Sequence, residues 1–258
     1  MQFIILGMLN IKFDGKKEAG RVAEFLEESE RVLGKSLVIF QCDGKTEEST
    51  YVRLKREKGE RLGVGVKVKV LSNKDQVISE IKIANGDEMV DGILVQLPIF
   101  DLDRGEVEKI LDTIEPRKDV DGLNPKSKFV PSVIKATERI LDIFKIEEEQ
   151  KIALVGSRGM VGKRMEERLS VLGFDVTGFD KGDDLKKLKD FEVVISSTGV
   201  AEIIKPEMVT DGFVGIDLGY PKAEFSSEAV KKALLITPVP NGVGPLTVVG
   251  LYENLADS

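Results

Sequence analysis

The chain has 258 residues with 41% hydrophobic content, a net charge of −7, one cysteine and no histidine. This size allows one large domain or two ordinary ones with substantial cores, and the acidic balance argues against nonspecific nucleic-acid binding. Without histidine, Ser-His-Asp and Cys-His relays are excluded, and a single cysteine, Cys42, excludes an internal disulfide and agrees with a reducing, cytoplasmic compartment.

The first half alternates short apolar runs with helix-period segments. The opening run at 2–6 is too short for a membrane span and lacks a basic leader, so we expect a strand rather than a signal peptide. Further strands are predicted at 37–40, 64–71 and 91–97, and helices at 15–33 and 49–62. This alternation predicts a parallel α/β sheet.

The helix predicted at 49–62 carries a lysine on its inward face. Its helix-spaced residues are Tyr51, Leu54, Lys55 and Leu62. Because the chain has no histidine, proton chemistry must use lysine, carboxylate or tyrosine, which makes Lys55 a candidate. The alternative is a lysine whose stem packs along apolar neighbours while its charged head reaches water.

An amide interrupts the apolar strand "DGILVQLP" at Gln96. Burying a polar group without a partner costs roughly 1–3 kcal/mol. Gln96 must therefore hydrogen-bond to the fold or line a cavity.

A helix is predicted at 104–114, and the turn "PRKDVDG" that follows holds Asp119 and Asp121. A D-x-D turn can bind magnesium, cap a turn or supply two ligand acceptors. No further acidic residue has ligand spacing, so we expect no metal.

Pro, Gly, Asn and Asp then break the pattern over 116–132, which predicts a hinge before a helix at 132–146.

A glycine-rich loop opens the second half. "ALVGSRGMVG" passes from a strand predicted at 152–155 through Gly156, Gly159 and Gly162 into a helix. Glycines let the backbone approach a phosphate, and the helix N-terminus offers unpaired N–H groups. The alternative is a tight strand-to-helix turn without a ligand.

Asp180 follows the next predicted strand, 174–179, about 20 residues after the loop, where a carboxylate typically binds the adenosine ribose of NAD. Arg158 and Lys181 could offset its charge and accept NADP. The alternative for Asp180 is a surface turn.

The remaining predicted elements are strands at 192–196, 213–218 and 234–237 and a C-terminal helix that could fold back onto the first half.

Five ordered motifs closely resemble the bifunctional methylenetetrahydrofolate dehydrogenase/cyclohydrolase (FolD) family: "TYVRLK", "DGILVQLP", "KDVDG", "GSRGMVG" and "TPVPNGVGPLT". The resemblance covers essentially the whole chain. It implies an α/β protein of two domains, 1–118 with the C-terminal helix 242–258, and 119–241. Each would be a mainly parallel sheet with flanking helices, the second Rossmann-like, with the folate cleft between them.

The resemblance also implies residue roles. Lys55 corresponds to the catalytic lysine, Gln96 to the amide beside it and Tyr51 to the aromatic residue that orients the folate. Asp121 corresponds to the carboxylate that binds the pterin. The implied cofactor contacts are Gly156, Ser157, Arg158, Gly159, Val161, Gly162, Asp180, Lys181, Thr198 and Pro238. The implied substrate contacts are Tyr51, Gln96, Leu97, Pro98, Asp121, Gly242, Gly244 and Pro245, and no metal site is implied.

Several positions depart from the family pattern. The family generally has G-R-S-x-x-V-G-x-P, whereas this chain has Ser157, Arg158 and, at the proline position, Arg164. Asn241 replaces a glycine, "PSVIKA" replaces "PCTPxG", and Phe179 and Asp180 replace a His-Ser pair. These departures concern the cofactor contacts and the hinge more than the catalytic set.

The implied activities are oxidation of methylene-tetrahydrofolate with NADP, or possibly NAD, and hydrolysis of the methenyl product to formyl-tetrahydrofolate. A cytoplasmic homodimer that binds neither nucleic acid nor membranes is implied as well. Two alternatives remain open from the residues: a Rossmann dehydrogenase of another small substrate, such as a shikimate-type alcohol, and a non-catalytic dinucleotide-binding module.

Overall fold

The computed structural model describes residues 11–258, so the strand predicted at 2–6 lies outside the described residues. The described chain forms two compact units. The first unit contains Ala19–Lys135 and Thr247–Ser258, and the second contains the described residues up to Glu18 together with Ala136–Leu246. The predicted domain boundary at 118/119 lies before the division at Lys135.

Strands and helices alternate along most of the described chain. In chain order the strands and α-helices are β1 (Ile11–Lys12), α1 (Gly15–Ser29), β2 (Ser36–Gln41), α2 (Thr50–Arg61), β3 (Gly65–Val70), α3 (Lys74–Gly86), β4 (Gly92–Gln96), α4 (Arg104–Leu111), α5 (Ser132–Ile143), β5 (Ile152–Val155), α6 (Met160–Val171), β6 (Val176–Phe179), β7 (Val193–Ser196), β8 (Val214–Asp217), α7 (Ser227–Val230), β9 (Leu235–Ile236) and α8 (Val243–Ala256). Two 3₁₀ helices lie at Leu185–Asp190 and Pro206–Met208.

The first unit is built on a parallel sheet whose described strands have the order β3-β2-β4. The central strand β2 is buried along nearly all its length because both of its neighbours are paired to it. The register aligns Gln41 of β2 with Gln96 of β4. Because carboxyl ends of parallel strands meet at one edge, two amides lie side by side there.

The second unit contains a described parallel sheet of order β1-β9-β8-β7-β5-β6. If β5 is counted as the first strand, the run β6-β5-β7-β8-β9 has the order 2-1-3-4-5 of doubly wound nucleotide-binding folds, so the unit is Rossmann-like. The expected α/β class with parallel sheets is therefore confirmed. Buried apolar side chains from this sheet and its covering segments form one cluster, which includes Val155, Phe179, Leu188, Val194, Ile204, Phe213 and Phe225.

The sequence patterns missed one long helix, and they predicted that several helices continue beyond their observed C-terminal ends. Helix α3 begins after Asn73, which caps it by accepting the N–H of Gln76, and it buries Val77 and Ile81 at helix spacing. The helix predicted at 15–33 ends at Ser29, and Glu30 then adopts a positive φ of 52°. Within residues 11–258, no helix combines the length and the apolar character that a membrane crossing requires.

Candidate active site

Helix α2 places a lysine in the interior of the first unit. Ser49 caps the helix by accepting the N–H of Val52, and the buried face contains Val52, Lys55 and Gly59. Lys55 is only 2% exposed, so the alternative of a lysine head in open water is wrong. Leu54 is 48% exposed because it lies one position, about 100°, away from the buried line, which corrects its predicted inward placement.

The Lys55 ammonium contacts two of the residues predicted with it. Its Nζ donates to Oε1 of Gln96 at 2.9 Å and lies 4.8 Å from the centroid of the Tyr51 ring. The Gln96 Nε2 donates to the carbonyl oxygen of Leu97 at 2.9 Å. The amide in the apolar strand is therefore hydrogen-bonded through both its oxygen and its nitrogen, and its oxygen binds the buried lysine.

Burial and charge act in opposite directions on Lys55. Burial lowers its pKa, because the charged form loses its hydration, and the negative charge of Asp121 partly raises it again. Asp121 is half-buried. Together with Lys55, Gln96 and Tyr51, it makes four predicted site residues that belong to the first unit. A lysine in this setting is closer to its neutral, proton-accepting form than a lysine in water.

The two aspartates of the D-x-D turn have different environments. Asp119 is 1% exposed, and its Oδ2 accepts the N–H of Asn124 at 2.7 Å, so it stabilises the turn. Burial raises the pKa of Asp119 to about 6. Asp121 instead interacts electrostatically with Lys55. Across the part of the chain that the structure describes, no group of three or more acidic, cysteine or histidine side chains could hold a metal ion.

A second buried amide, Gln41, shapes the loop that leads into α2. Its Oε1 accepts the N–H of Ser49 at 2.7 Å, and its Nε2 donates to Asp43 Oδ1 and to the carbonyl of Glu47, both at 2.9 Å. Sequence reasoning missed this residue. The available signal was the same one that marked Gln96, an amide at the end of an apolar strand.

The glycine loop of the second unit has the geometry of a phosphate cradle. Gly156 has a φ of +89°, which favours glycine, and a Cβ on Gly162 would lie 2.0 Å from the carbonyl oxygen of Gly156. Gly159 is the N-cap residue of α6 and has no side chain that could cap the helix. The first N–H groups of this helix therefore lack intrahelical partners, and Val161 in the first turn and the buried Ser157 flank them.

Asp180 lies against this loop. Its Oδ2 accepts the N–H of Arg158 and its Oδ1 accepts the N–H of Lys181, both at 2.8 Å. These bonds lower the pKa of Asp180, so it is ionised at neutral pH. A groove of about 540 Å³ along β6 is lined by Arg158 and Lys187 together with several aspartates. The carboxylate of Asp180 and the side chain of Arg158, both predicted cofactor contacts, thus belong to the same part of the second unit.

A buried carboxylate that sequence reasoning missed fixes the loop after β7. Glu224, 1% exposed, accepts the N–H groups of Thr198 and Gly199 at 2.8 and 2.7 Å and the hydroxyl of Thr198 at 2.7 Å. Asp217 in turn accepts the N–H of Glu224 at 2.8 Å, and burial raises the pKa of Asp217 to about 6. These bonds fix both the backbone and the hydroxyl of Thr198, which is one of the predicted cofactor contacts.

The segment "TPVPNGVGPLT" forms a tight turn into α8. A Cβ on Gly242 would lie 2.5 Å from the carbonyl oxygen of Pro238, and Asn241 has a φ of +81°, a conformation that asparagine tolerates better than most residues. The replacement of a family glycine by Asn241 thus keeps the turn. Gly244 and Pro245 are half-buried in the first turn of α8.

The predicted contacts of several residues remain predictions. Leu97 is half-buried and Pro98 is exposed, and both directly follow Gln96 in the first unit. Pro238, Gly242, Gly244 and Pro245 belong to the second unit.

Comparison with known proteins covers almost the whole chain. Residues 13–121 match the model described as tetrahydrofolate dehydrogenase/cyclohydrolase, catalytic domain, and residues 131–258 match its NAD(P)-binding domain. The bifunctional protein FolD of Mycoplasmopsis synoviae strain 53 is 34% identical over 246 residues, which cover 86% of this chain and 88% of that protein.

Solved structures agree. The FolD methylenetetrahydrofolate dehydrogenase/cyclohydrolase of Campylobacter jejuni aligns with a TM-score of 0.84 at 27% identity, covering 96% of this chain and 97% of the other. A shikimate 5-dehydrogenase of Thermus thermophilus aligns with a TM-score of 0.60 at 13% identity, covering 87% of this chain and 94% of the other, and this likeness is one of fold alone.

Proposed function

The chain belongs to the tetrahydrofolate dehydrogenase/cyclohydrolase family, and from that premise we propose which of its residues carry each reaction. The enzyme oxidises methylene-tetrahydrofolate to methenyl-tetrahydrofolate with a nicotinamide cofactor, and it hydrolyses the methenyl product to formyl-tetrahydrofolate. The activities expected from the five motifs are therefore confirmed, and the roles of individual residues are the proposal.

For the hydrolysis, Lys55 is the general base. The observation that carries this assignment is the 2.9 Å bond between its Nζ and Gln96 Oε1 in a buried setting that favours the neutral amine. The neutral amine takes a proton from the water that adds to the methenyl carbon. The bond from that carbon to one ring nitrogen then breaks, this nitrogen gains the hydroxyl proton as the formyl C=O forms, and the protonated amine returns its proton to solvent. Gln96 orients the amine and Tyr51 orients the folate.

Asp121 binds the pterin. Its carboxylate accepts hydrogen bonds from pterin N–H donors, and charge-assisted bonds of this kind are about twice as strong as neutral ones. Leu97, Pro98, Gly242, Gly244 and Pro245 are the further substrate contacts that the family resemblance implies.

For the oxidation, the chain's main task is to hold and orient its ligands, since hydride transfer needs little acid-base help. NAD(P), when bound, would supply the hydride acceptor. The loop 156–162, with Ser157, Val161 and the N-terminus of α6, would hold the pyrophosphate, because no side chain caps the start of α6 and the glycines let the backbone approach a phosphate closely. Thr198, fixed by Glu224, and Pro238 are further cofactor contacts.

The preferred cofactor is NADP, with Arg158 as the partner of the 2′-phosphate and Lys181 beside it. Arg158 is exposed in the loop and lines the groove along β6. NAD is the second candidate, which Asp180 favours because its carboxylate repels a 2′-phosphate. Replacing Arg158 by Gln should lower kcat/KM for NADP by roughly tenfold, as expected for one lost charged hydrogen bond, and leave the value for NAD within twofold. An equal loss with both cofactors would exclude this role for Arg158.

The Lys55 assignment is tested with Lys55→Met, which keeps the unbranched apolar stem but removes the amine. Cyclohydrolase activity should fall by about 10²–10⁴-fold, the usual contribution of a general base. Dehydrogenase activity, followed by absorbance of the reduced nicotinamide, should persist. Substantial cyclohydrolase activity in this variant would remove Lys55 from the mechanism. Absence of both activities in the unaltered enzyme would instead favour the non-catalytic alternative.

We also propose that the enzyme is a cytoplasmic homodimer. The single cysteine agrees with a reducing compartment, and the dimer is what the family resemblance implies. Light scattering after size-exclusion chromatography should give twice the mass of the 28.4 kDa chain, and a monomer mass would contradict the proposal.

A further inference from the structure

A tyrosine of the last helix contacts the backbone of the buried lysine. Tyr252 in α8 is fully buried, and its hydroxyl donates to the carbonyl oxygen of Lys55 at 2.6 Å. Burial raises the pKa of the Tyr252 phenol, because the charged form would lose its hydration. A hydrogen bond from the backbone N–H of Gly59 lowers this pKa, but by less than burial raises it. The hydroxyl therefore remains protonated and remains a donor.

Gly59 of α2 makes room for this hydroxyl. A Cβ at position 59 would lie 2.4 Å from the Tyr252 hydroxyl oxygen and 2.8 Å from Cζ of the ring. Glycine disfavours a helix relative to alanine, so its presence in the last turns of α2 needs a local reason. The phenol supplies that reason together with Val66, whose Cγ2 would lie 2.6 Å from the same Cβ.

The same end of α8 contacts the other parts of the lysine site. Asn254 Nδ2 donates to the carbonyl oxygen of Val120, the neighbour of Asp121, at 2.9 Å. A Cβ on Gly92, in the strand that ends at Gln96, would lie 2.8 Å from Leu255, so the strand and the helix are closely packed. This end of α8 is thus a common support for α2, β4 and the aspartate turn, all within the first unit.

We propose that Tyr252 is a positioning residue for Lys55: its hydroxyl fixes the α2 backbone so that the lysine Nζ stays in hydrogen-bonding distance of Gln96. The proposal rests on the proposed role of Lys55 in the cyclohydrolase reaction. It goes beyond that role because the Tyr252 hydroxyl bonds to the peptide carbonyl of Lys55 and acts on the amine through the backbone.

The test is Tyr252→Phe, which removes only the hydroxyl. Cyclohydrolase kcat should fall by roughly tenfold, less than the 10²–10⁴-fold loss of a whole general base, with KM changed by less than about twofold. A loosened α2 lets water reach the amine, so the pKa of Lys55 rises and the acidic limb of the pH profile moves to higher pH. Dehydrogenase activity should be retained.

Two further variants distinguish positioning from general loss of stability. Gly59→Ala puts a methyl group 2.4 Å from the hydroxyl oxygen and 2.6 Å from Val66 Cγ2. It displaces the phenol and should shift the same pH limb even though alanine favours the helix. Ile81→Val removes a methyl group from the buried face of α3, and it should lower the unfolding temperature without moving the pH profile.

The outcomes separate this inference from the proposed function. An unchanged cyclohydrolase kcat and pH profile in Tyr252→Phe, while Lys55→Met is inactive, would overturn the positioning role alone. Retained cyclohydrolase activity in Lys55→Met would overturn the proposed function and, with it, the role of Tyr252. A matching shift in Ile81→Val would show that lost stability is sufficient and would also overturn the inference.

Discussion

Replacing Gln96 by Glu should move the working range of the cyclohydrolase to higher pH. The substitution is nearly isosteric, but it puts a negative charge where Oε1 now lies, 2.9 Å from the Lys55 Nζ. At an effective dielectric constant of about 20, opposite unit charges at this separation attract by about 6 kcal/mol, equivalent to roughly four pKa units. The net effect is smaller, because the new carboxylate loses hydration in a half-buried position.

The sign of the effect follows from the role of the amine. The lysine is active as a base when neutral, so a raised pKa moves the acidic limb of the cyclohydrolase profile upward. We expect a shift of about one pH unit or more, and each unit lowers the neutral fraction tenfold on the acidic side of the pKa. Cyclohydrolase kcat would be measured across the pH range from the loss of methenyl-tetrahydrofolate absorbance, corrected for uncatalysed hydrolysis. Urea unfolding of the same preparations reports the integrity of the protein.

Gln76→Glu is the matched control, since Gln76 is an exposed amide on α3 in the same unit. It adds the same charge on the surface of the unit and should leave the pH profile unchanged. If Gln96→Glu kept the unaltered profile and full cyclohydrolase activity, the amine at position 55 could not be the titrating base.

Two more predictions concern the aspartates of the turn. Asp121→Asn should raise the folate dissociation constant by roughly tenfold or more, as expected for a lost charge-assisted bond, and calorimetric titration measures this change. It should also move the acidic limb of the cyclohydrolase pH profile to lower pH, because Asp121 raises the pKa of Lys55. Asp119 has a pKa raised from 3.8 to about 6, so its stabilising effect is present below pH 3.8 and is lost as pH rises through 6. Urea unfolding should therefore show Asp119→Asn gaining stability relative to the parent between pH 4 and 7, by at most about 3 kcal/mol, whereas a pH-independent difference would contradict the raised pKa.

Periodicity predicted the α/β class because the signal was local. Strands β2, β4 and β5 are largely buried and apolar, and each lies within its predicted range or extends it by one residue at each end. Helix α3 was missed because isoleucines also lie on its exposed side, at Ile78 and Ile83, which weakens the one-sided apolar pattern. Helix ends were overestimated because apolar periodicity continues into segments whose backbone has already turned.

The candidate site was only partly visible from sequence, since its geometry depends on contacts between distant segments. Lys55 and Gln96 were each suspicious locally, as a lysine on an apolar face and an amide in an apolar strand. The hydrogen bond between them joins residues 41 positions apart, and only the family resemblance predicted that they lie together. No local pattern predicts that Gly59 leaves room for Tyr252, or that Glu224 binds the loop at Thr198, because each partner is ordinary in its own segment.

If Lys55 is the base, as proposed, its electrostatics give a reason why it acts on the methenyl intermediate. In the enzyme alone, burial favours the neutral amine and the charge of Asp121 opposes it. The methenyl intermediate is a cation, and a cation placed near both groups offsets the negative charge of Asp121 while disfavouring a second positive charge on Nζ. Binding of the substrate that needs hydrolysis therefore shifts Lys55 towards its proton-accepting form. The neutral methylene substrate carries no such charge, so the same lysine need not be deprotonated during the oxidation that precedes hydrolysis.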